Sequence, residues 1–216
     1  MIIEACFNGP PGSGNGGWSA GVFATAYGGP GLLEVTLRRP PPLDTPLALV
    51  DGEVRDPAGE VVARLRPAAE FDDDPVPPVD LSTARAASAA YPGLVDHPFP
   101  GCYVCGPDRA DGLRIFPGRL PDGRTAASVR VPQQVDAAMV WAVLDCPGGW
   151  AVIDAGRPYV LGRIAARIEA LPRPGDECVV TGAVMAVEGR KAQVATSLYA
   201  PDDALLGRAR ATWIAV

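Results

Sequence analysis

The chain has 216 residues, enough for one large or two small domains, with 48% hydrophobic and 20% charged residues. Its formal net charge of -6 and the absence of a basic stripe argue against a phosphate backbone as partner, so no nucleic acid is expected. No apolar run reaches the roughly 18 residues of a membrane helix, and the 24 Pro and 25 Gly fall largely in turns, so neither a membrane span nor long disorder is expected.

The opening stretch MIIEACFNGPPGSG has no basic segment and carries Glu4 early, unlike a secretory signal. The cytoplasm is then the default, where five cysteines stay reduced; the odd number also suits no disulfide framework. Within it IIEACF reads as a short strand and GPPGSGNGG as a glycine-rich loop. A helix is predicted from near Asn15, a residue type suited to an N-cap. LLEVTLRR, LALV, EVR and EVVARLRP follow as an antiparallel meander, broken by PPPLDTP, DG and DPAG, which carry turn chemistry.

Residues 72–112 differ in character. DDDPVPPVD is acidic and proline-rich, LSTARAASAAY suits one short helix, and HPFPGCYVCGPDRADG is irregular. The segment reads as a connector between two halves. Beyond it TAASVRV is a predicted strand and AAMVWAVLDCPGGWAV an apolar helical stretch. LGRIAARIEAL, DECVVTGAVMAVE, KAQVATSLYA and LLGRARATWIAV then form a second meander, several with period-two alternation. Strand, helix and meander thus occur twice, and RRPPPLDTPLALV in the first half stands where EALPRPGDECVV stands in the second. An internal duplication of about 100 residues per copy is inferred, an ordinary domain size. The units are residues 1–71, the shorter, and 113–216, with 72–112 between them.

A helix wrapped by an antiparallel sheet, twice over, gives an α+β fold of two tandem hotdog units. Here the chain resembles double-hotdog proteins of the acyl-CoA thioesterase superfamily. CYVCGPDRADGLRIF is similar to the Cys-x-x-Cys-Gly…Gly-Leu segment that precedes many hotdog domains of the phenylacetyl-CoA thioesterase type. RIEALPRPGDECVVTGAV resembles that family's strand–turn–strand, with Gly175 and Asp176 at the turn, and DAAMVWAVLDCPGGWA resembles its central helix. The likeness is weaker over 1–71 than over 99–216. In the family's helix a His-Gly-Gly is commonly followed, nine residues on, by Asp or Glu. In the second half Asp136 stands at the His position, Ala137 and Ala138 replace the glycines, and Asp145 stands at the acid position. In the first half Asn15, Gly16 and Gly17 occupy the His-Gly-Gly position, and Ala24 replaces the acid.

The resemblance implies a site shared between neighbouring helices, with Asp145 meeting Asn15, Gly16 and Gly17, and a reciprocal site of Ala24 and Asp136 without an acid. It implies hydrolysis of acyl-CoA or acyl-carrier-protein thioesters, no cofactor and self-association. Asp145 and Asn15 are then the candidate catalytic residues, and Gly16, Gly17, Trp18, Asp136 and Trp141 the candidate substrate-binding ones. Backbone N–H groups at a helix start polarise a carbonyl. A carboxylate in an apolar pocket is a stronger base for water, or it attacks the thioester itself. CoA needs cations at the mouth, for which Arg163, Arg167, Arg190 and Lys191 are candidates.

Blander roles compete. Asp145 before Cys146-Pro147-Gly148 also suits a chain reversal, Pro147 interrupts a continuous helix, Asn15 and Asp136 suit plain N-caps, and tryptophans usually belong to cores. An acyl-binding module without chemistry is the rival function. Cys102-x-x-Cys105 looks like half a zinc knuckle with His97 as a third ligand, but with the other cysteines scattered in sequence the expectation is structural thiols and no metal. His97 is the only histidine and lies in a proline-flanked loop, no Gly-x-Ser-x-Gly is present, and GPPGSGNGG lacks the Lys of a phosphate loop.

Overall fold

The computed structural model describes residues 1–29, 31–153 and 158–216. Ten antiparallel strands form one sheet: β1 (Leu33–Leu37), β2 (Ala48–Val50), β3 (Glu53–Arg55), β4 (Val61–Pro67), β5 (Gly118–Arg119), β6 (Thr125–Arg130), β7 (Tyr159–Ile168), β8 (Glu177–Glu188), β9 (Lys191–Tyr199) and β10 (Leu205–Ala215). Their spatial order is β2-β3-β4-β1-β7-β10-β9-β8-β6-β5. The duplication is visible there: reading outward from the β1–β7 pair, β4, β3 and β2 mirror β10, β9 and β8. The halves join where Val35 pairs with Ile164. Both side chains are fully buried.

In the second half β6 lies beside β8, completing the unit. Its counterpart in the first half is the N-terminal segment, and here the expected strand IIEACF is not formed. Residues 1–3 do run along the approach to β2, with Leu47 N–H donating to Met1 O (2.7 Å) and Asp44 N–H to Ile3 O (2.8 Å). The chain then winds into a 3-10 turn, Ala5–Phe7, closed by Phe7 N–H to Glu4 O at 2.9 Å. That turn delivers the Phe7 ring onto Trp18, with centroids 3.7 Å apart, and aromatic packing outweighs a short ladder.

Helix α1 (Gly16–Tyr27) starts where the sequence predicts: the Asn15 side chain accepts from Trp18 N–H at 2.8 Å. Its residues are apolar nearly all round, which suits a helix enclosed on every side. It ends at Gly28, whose φ of 65° is a left-handed conformation that glycine adopts freely. The expected second central helix is instead two, α3 (Ala137–Val143) and α4 (Cys146–Val152), broken at Leu144 and Asp145. Pro147 causes the break. It has no N–H to continue the ladder, and its ring crowds the carbonyl four residues back. The connector carries helix α2 (Leu81–Ala89), capped by Asp80, which packs on β6 and β8. Below it Tyr91 is buried, stacked on Phe116 (5.3 Å) and edge-on to Trp150 (4.6 Å). No helix among the described residues is long and apolar enough to cross a membrane.

α1 and α3 pack against each other in opposite directions, and small residues set their spacing. A Cβ on Gly17 would lie 2.5 Å from Asp145 Cβ and 2.7 Å from Trp141 O; one on Gly21 would lie 2.6 Å from Ala138 Cα. Because Ala138 Cα is backbone, no rotamer change relieves the second contact. Alanine at Gly21 should favour the isolated helix by up to about 1 kcal/mol, yet overpacking costs about 1–3 kcal/mol. Gly21→Ala is therefore expected to lower the unfolding free energy in a denaturant titration, against the sign that helix propensity alone predicts.

Candidate active site

The break between α3 and α4 places Asp145 at the start of α1. Asp145 is 2% exposed. Its Oδ2 accepts from Gly17 N–H at 2.9 Å and from Asn15 Nδ2 at 3.4 Å, while its Oδ1 has no partner among the described residues. Burial pushes the carboxyl up to about 7. The Gly17 N–H pulls it back, the neighbouring Cys102 thiol adds to the rise, and the Asn15 amide again lowers it. One oxygen is thus held by a helix N-terminus and the other is left unsatisfied.

Asn15 is buried and fully engaged. Its Oδ1 caps Trp18 N–H, and its Nδ2 is shared between Asp145 Oδ2 and Cys102 Sγ, the latter at 3.7 Å. The two readings of Asn15 from sequence are therefore compatible, since capping uses the oxygen and leaves the amide for Asp145. The roles of the two glycines separate. Gly17 N–H is spent on Asp145, so it is not free for a substrate. Gly16 N–H has no hydrogen-bond partner among the described residues, and Gly16 lines a cavity.

That cavity has a volume of about 300 Å³. Asn15, Gly16 and Asp145 lie on its polar side; Trp150, Ile153, Leu161 and Trp213 are among its apolar walls. The connector contributes His97, Phe99, Cys102 and Cys105, and Cys146 lies beside them. Sequence reasoning treated this segment as a link between units; its Cys-x-x-Cys and single His were the available signal.

The structure does not bring the other candidates to the cavity. Trp18 is buried between Phe7 and Tyr103, edge-on to the latter at 5.4 Å. Trp141 is 4% exposed and packs on α1 at Gly17 and Gly21. Both are core residues: Trp141 faces the neighbouring helix, and Trp18 is covered by the N-terminal turn and the connector. Asp136 caps α3 by accepting from Met139 N–H at 2.8 Å, and Gly17 serves close packing and the Asp145 bond. None of these four lines the cavity. At the reciprocal end, Ala24 offers only a buried methyl.

None of the cations proposed for the mouth lines the cavity itself. Arg163 pairs with Glu34 at 3.6 Å, Arg167 with Glu169 at 2.8 Å, and Arg190 Nε donates to Ala215 O. Arg163 and Lys191 line an adjoining groove that shares Leu37, Arg38, Gly162 and Ile214 with the cavity. Arg38 and Arg39 stand at the cavity instead. Arg39 pairs with Glu60 at 3.3 Å, whereas Arg38 has no ion-pair partner among the described residues.

No family model matches the chain, and no curated protein matches its sequence. Solved structures do. A conserved hot dog-fold protein of unknown function from Alicyclobacillus acidocaldarius aligns over 100% of this chain and 91% of its own, with 13% identity and a TM-score of 0.66. A candidate thioesterase from Novosphingobium aromaticivorans aligns over 99% of this chain and 93% of its own, with 16% identity and a TM-score of 0.65. A thioesterase superfamily protein aligns with 20% identity over 54% of this chain and 61% of its own, at a TM-score of 0.48. The two full-length matches and the mirrored strand order, with α1 in one half and the broken α3–α4 pair in the other, make this chain a double-hotdog protein.

Proposed function

We propose that the chain hydrolyses acyl thioesters, of CoA or of an acyl carrier protein, in the cavity at the start of α1. The observation that carries this reading is the divided carboxylate of Asp145, one oxygen docked on Gly17 N–H and the other unpartnered, beside the free Gly16 N–H in an apolar cavity. The thioester carbonyl oxygen points at Gly16 N–H and the positive end of α1, where its developing charge is stabilised. Asp145 Oδ1 takes a proton from water as the water oxygen bonds to the carbonyl carbon. The tetrahedral intermediate collapses, the C–S bond breaks, and the proton passes from Asp145 to the departing sulfur. The acyl group occupies the apolar side, near Trp150 and Leu161. Arg38, with no ion pair, is the cation for CoA phosphates or an acidic carrier-protein face.

Asp145→Asn is expected to lower kcat by about a hundredfold or more on whichever member of an acyl-CoA panel wild type turns over, the range for loss of a general base. Turnover is followed by thioester absorbance, which the protein's own thiols do not disturb. If neither protein turns over any acyl-CoA or acyl carrier protein while wild type binds them, the cavity is an acyl-binding module and the hydrolase reading fails. Asn15→Ser separates the cap from the chemistry. Serine caps about as well as asparagine, so the α1 cap is retained and any drop in melting temperature reports the lost Nδ2 contacts rather than the cap. Loss of the Nδ2 donor to a charged group, worth about 1.5–3 kcal/mol, should reduce kcat/KM at least about tenfold. Single turnover in ¹⁸O-water tests the base role directly: label is expected in the acid product and not in the Asp145 carboxylate, where an anhydride route would deposit it.

A further inference from the structure

Three cysteines converge that are dispersed in sequence. The Sγ atoms of Cys102, Cys105 and Cys146 lie within 4.8 Å of one another, all buried, and no other such group of His, Cys, Asp or Glu occurs among the described residues. Cys102 and Cys105 come from the connector, and Cys146 from the first position of α4, next to the break. All three are free thiols and line the cavity.

Hydrogen-bond donors approach two of the three sulfurs. The turn from Cys102 to Cys105 puts the backbone N–H groups of Val104 and Cys105 on the side of the Cys102 sulfur. Asn15 Nδ2 approaches the same sulfur at 3.7 Å. Cys105 Sγ is met by His97 Nε2 at 3.4 Å. A neutral thiol is a weak acceptor, so these donors bond more strongly when a bound cation holds the sulfurs as thiolates. Gly106 closes the turn, donating to Cys102 O at 2.9 Å; a Cβ there would lie 2.5 Å from Cys102 N, so no other residue fits unstrained.

The spacing fits a metal. With Zn–S bonds of about 2.3 Å, tetrahedral sulfurs sit about 3.8 Å apart, within about 1 Å of the separations here. Thiolate sets select soft ions, zinc above all among divalent ones. His97 is not the fourth ligand in this arrangement. Its Nδ1 accepts from Phe99 N–H at 2.8 Å, so its proton is on Nε2, which faces Cys105 as a donor.

We propose that Cys102, Cys105 and Cys146 together bind one zinc-class divalent cation as thiolates, with the fourth position held by solvent from the cavity and His97 supporting Cys105 from outside the coordination sphere. Binding releases the three thiol protons to solvent, and the resulting single negative charge of the centre is met by the N–H donors described above. The site is independent of the hydrolytic reading, since metal content and spectra are read without any thioester.

The test uses reduced full-length protein, purified without chelator and assayed for metals by mass spectrometry, then stripped and titrated anaerobically with cobalt. About one zinc per chain and a cobalt spectrum with sulfur charge-transfer and tetrahedral ligand-field bands are expected. Cys146→Ser should weaken zinc at least about tenfold against a chromophoric chelator. Cys178→Ser, on β8 and outside the cluster, should bind as wild type does. The positions of the tetrahedral ligand-field bands should be unchanged in His97→Ala; a shift of those bands overturns the solvent-held fourth position. Absence of both stoichiometric zinc and cobalt charge transfer in the reduced wild-type protein overturns the site, as does wild-type affinity in a folded Cys146→Ser.

Discussion

The interaction on which the site depends is the hydrogen bond from Gly17 N–H to the carboxylate of Asp145, buried where two helices meet end to side. Burying a carboxylate is costly unless hydrogen bonds compensate for lost water. A helix N-terminus is one of the few places inside a protein that supplies both unsatisfied donors and a favourable potential. The arrangement needs a glycine at position 17, since a Cβ there would overlap the Asp145 side chain. It also needs the chain to stop being helical just before Cys146, which Pro147 enforces. Two local features of the sequence, each unfavourable in a helix, thereby produce one buried polar contact.

The duplicated fold explains why that contact occurs once. The mirrored halves bring their central helices together in opposite directions, so each helix start faces the far part of the other helix. Divergence has left the capable helix start in the first half and the acid in the second. Asn15, Gly16 and Gly17 meet Asp145, while Asp136 turns back on its own helix through Met139 N–H and Ala24 has no polar group to offer. A side chain that caps its own helix is satisfied locally and has no oxygen to spare. Asp145 differs because α4 takes no side-chain cap from it.

Much of this was legible in the sequence, because it is local. Alternating residues specified β10, and Asn15 and Asp136 act as the caps that their types suggest. The segment IIEACF has the composition of a strand, yet packing of Phe7 on Trp18 decides its conformation, and that contact is not encoded in any periodicity. Trp18 and Trp141 were drawn toward the cavity by their neighbours in sequence, but an adjacent position on a helix points about 100° away. Cys146 shows the opposite limit. Nothing in its spacing relates it to Cys102 and Cys105; only the fold of the connector over α4 makes the three neighbours.

The connector is therefore part of the site's architecture rather than a tether. The Asn15 amide reaches Cys102 on one side and Asp145 on the other, so the capping residue of α1 touches both the connector and the α3–α4 break. Tyr91 and Trp150 pack edge-on beneath this seam, and the Tyr91 hydroxyl donates to Cys105 O at 3.3 Å. A polar seam running through apolar surroundings is held in register by those fixed partners, because a displaced donor would be left unpaired. The position of the carboxylate, the start of α1 and the cysteine turn are thus set together: moving the connector shifts the sulfur that shares Asn15 with Asp145, and the free oxygen of Asp145 moves with it.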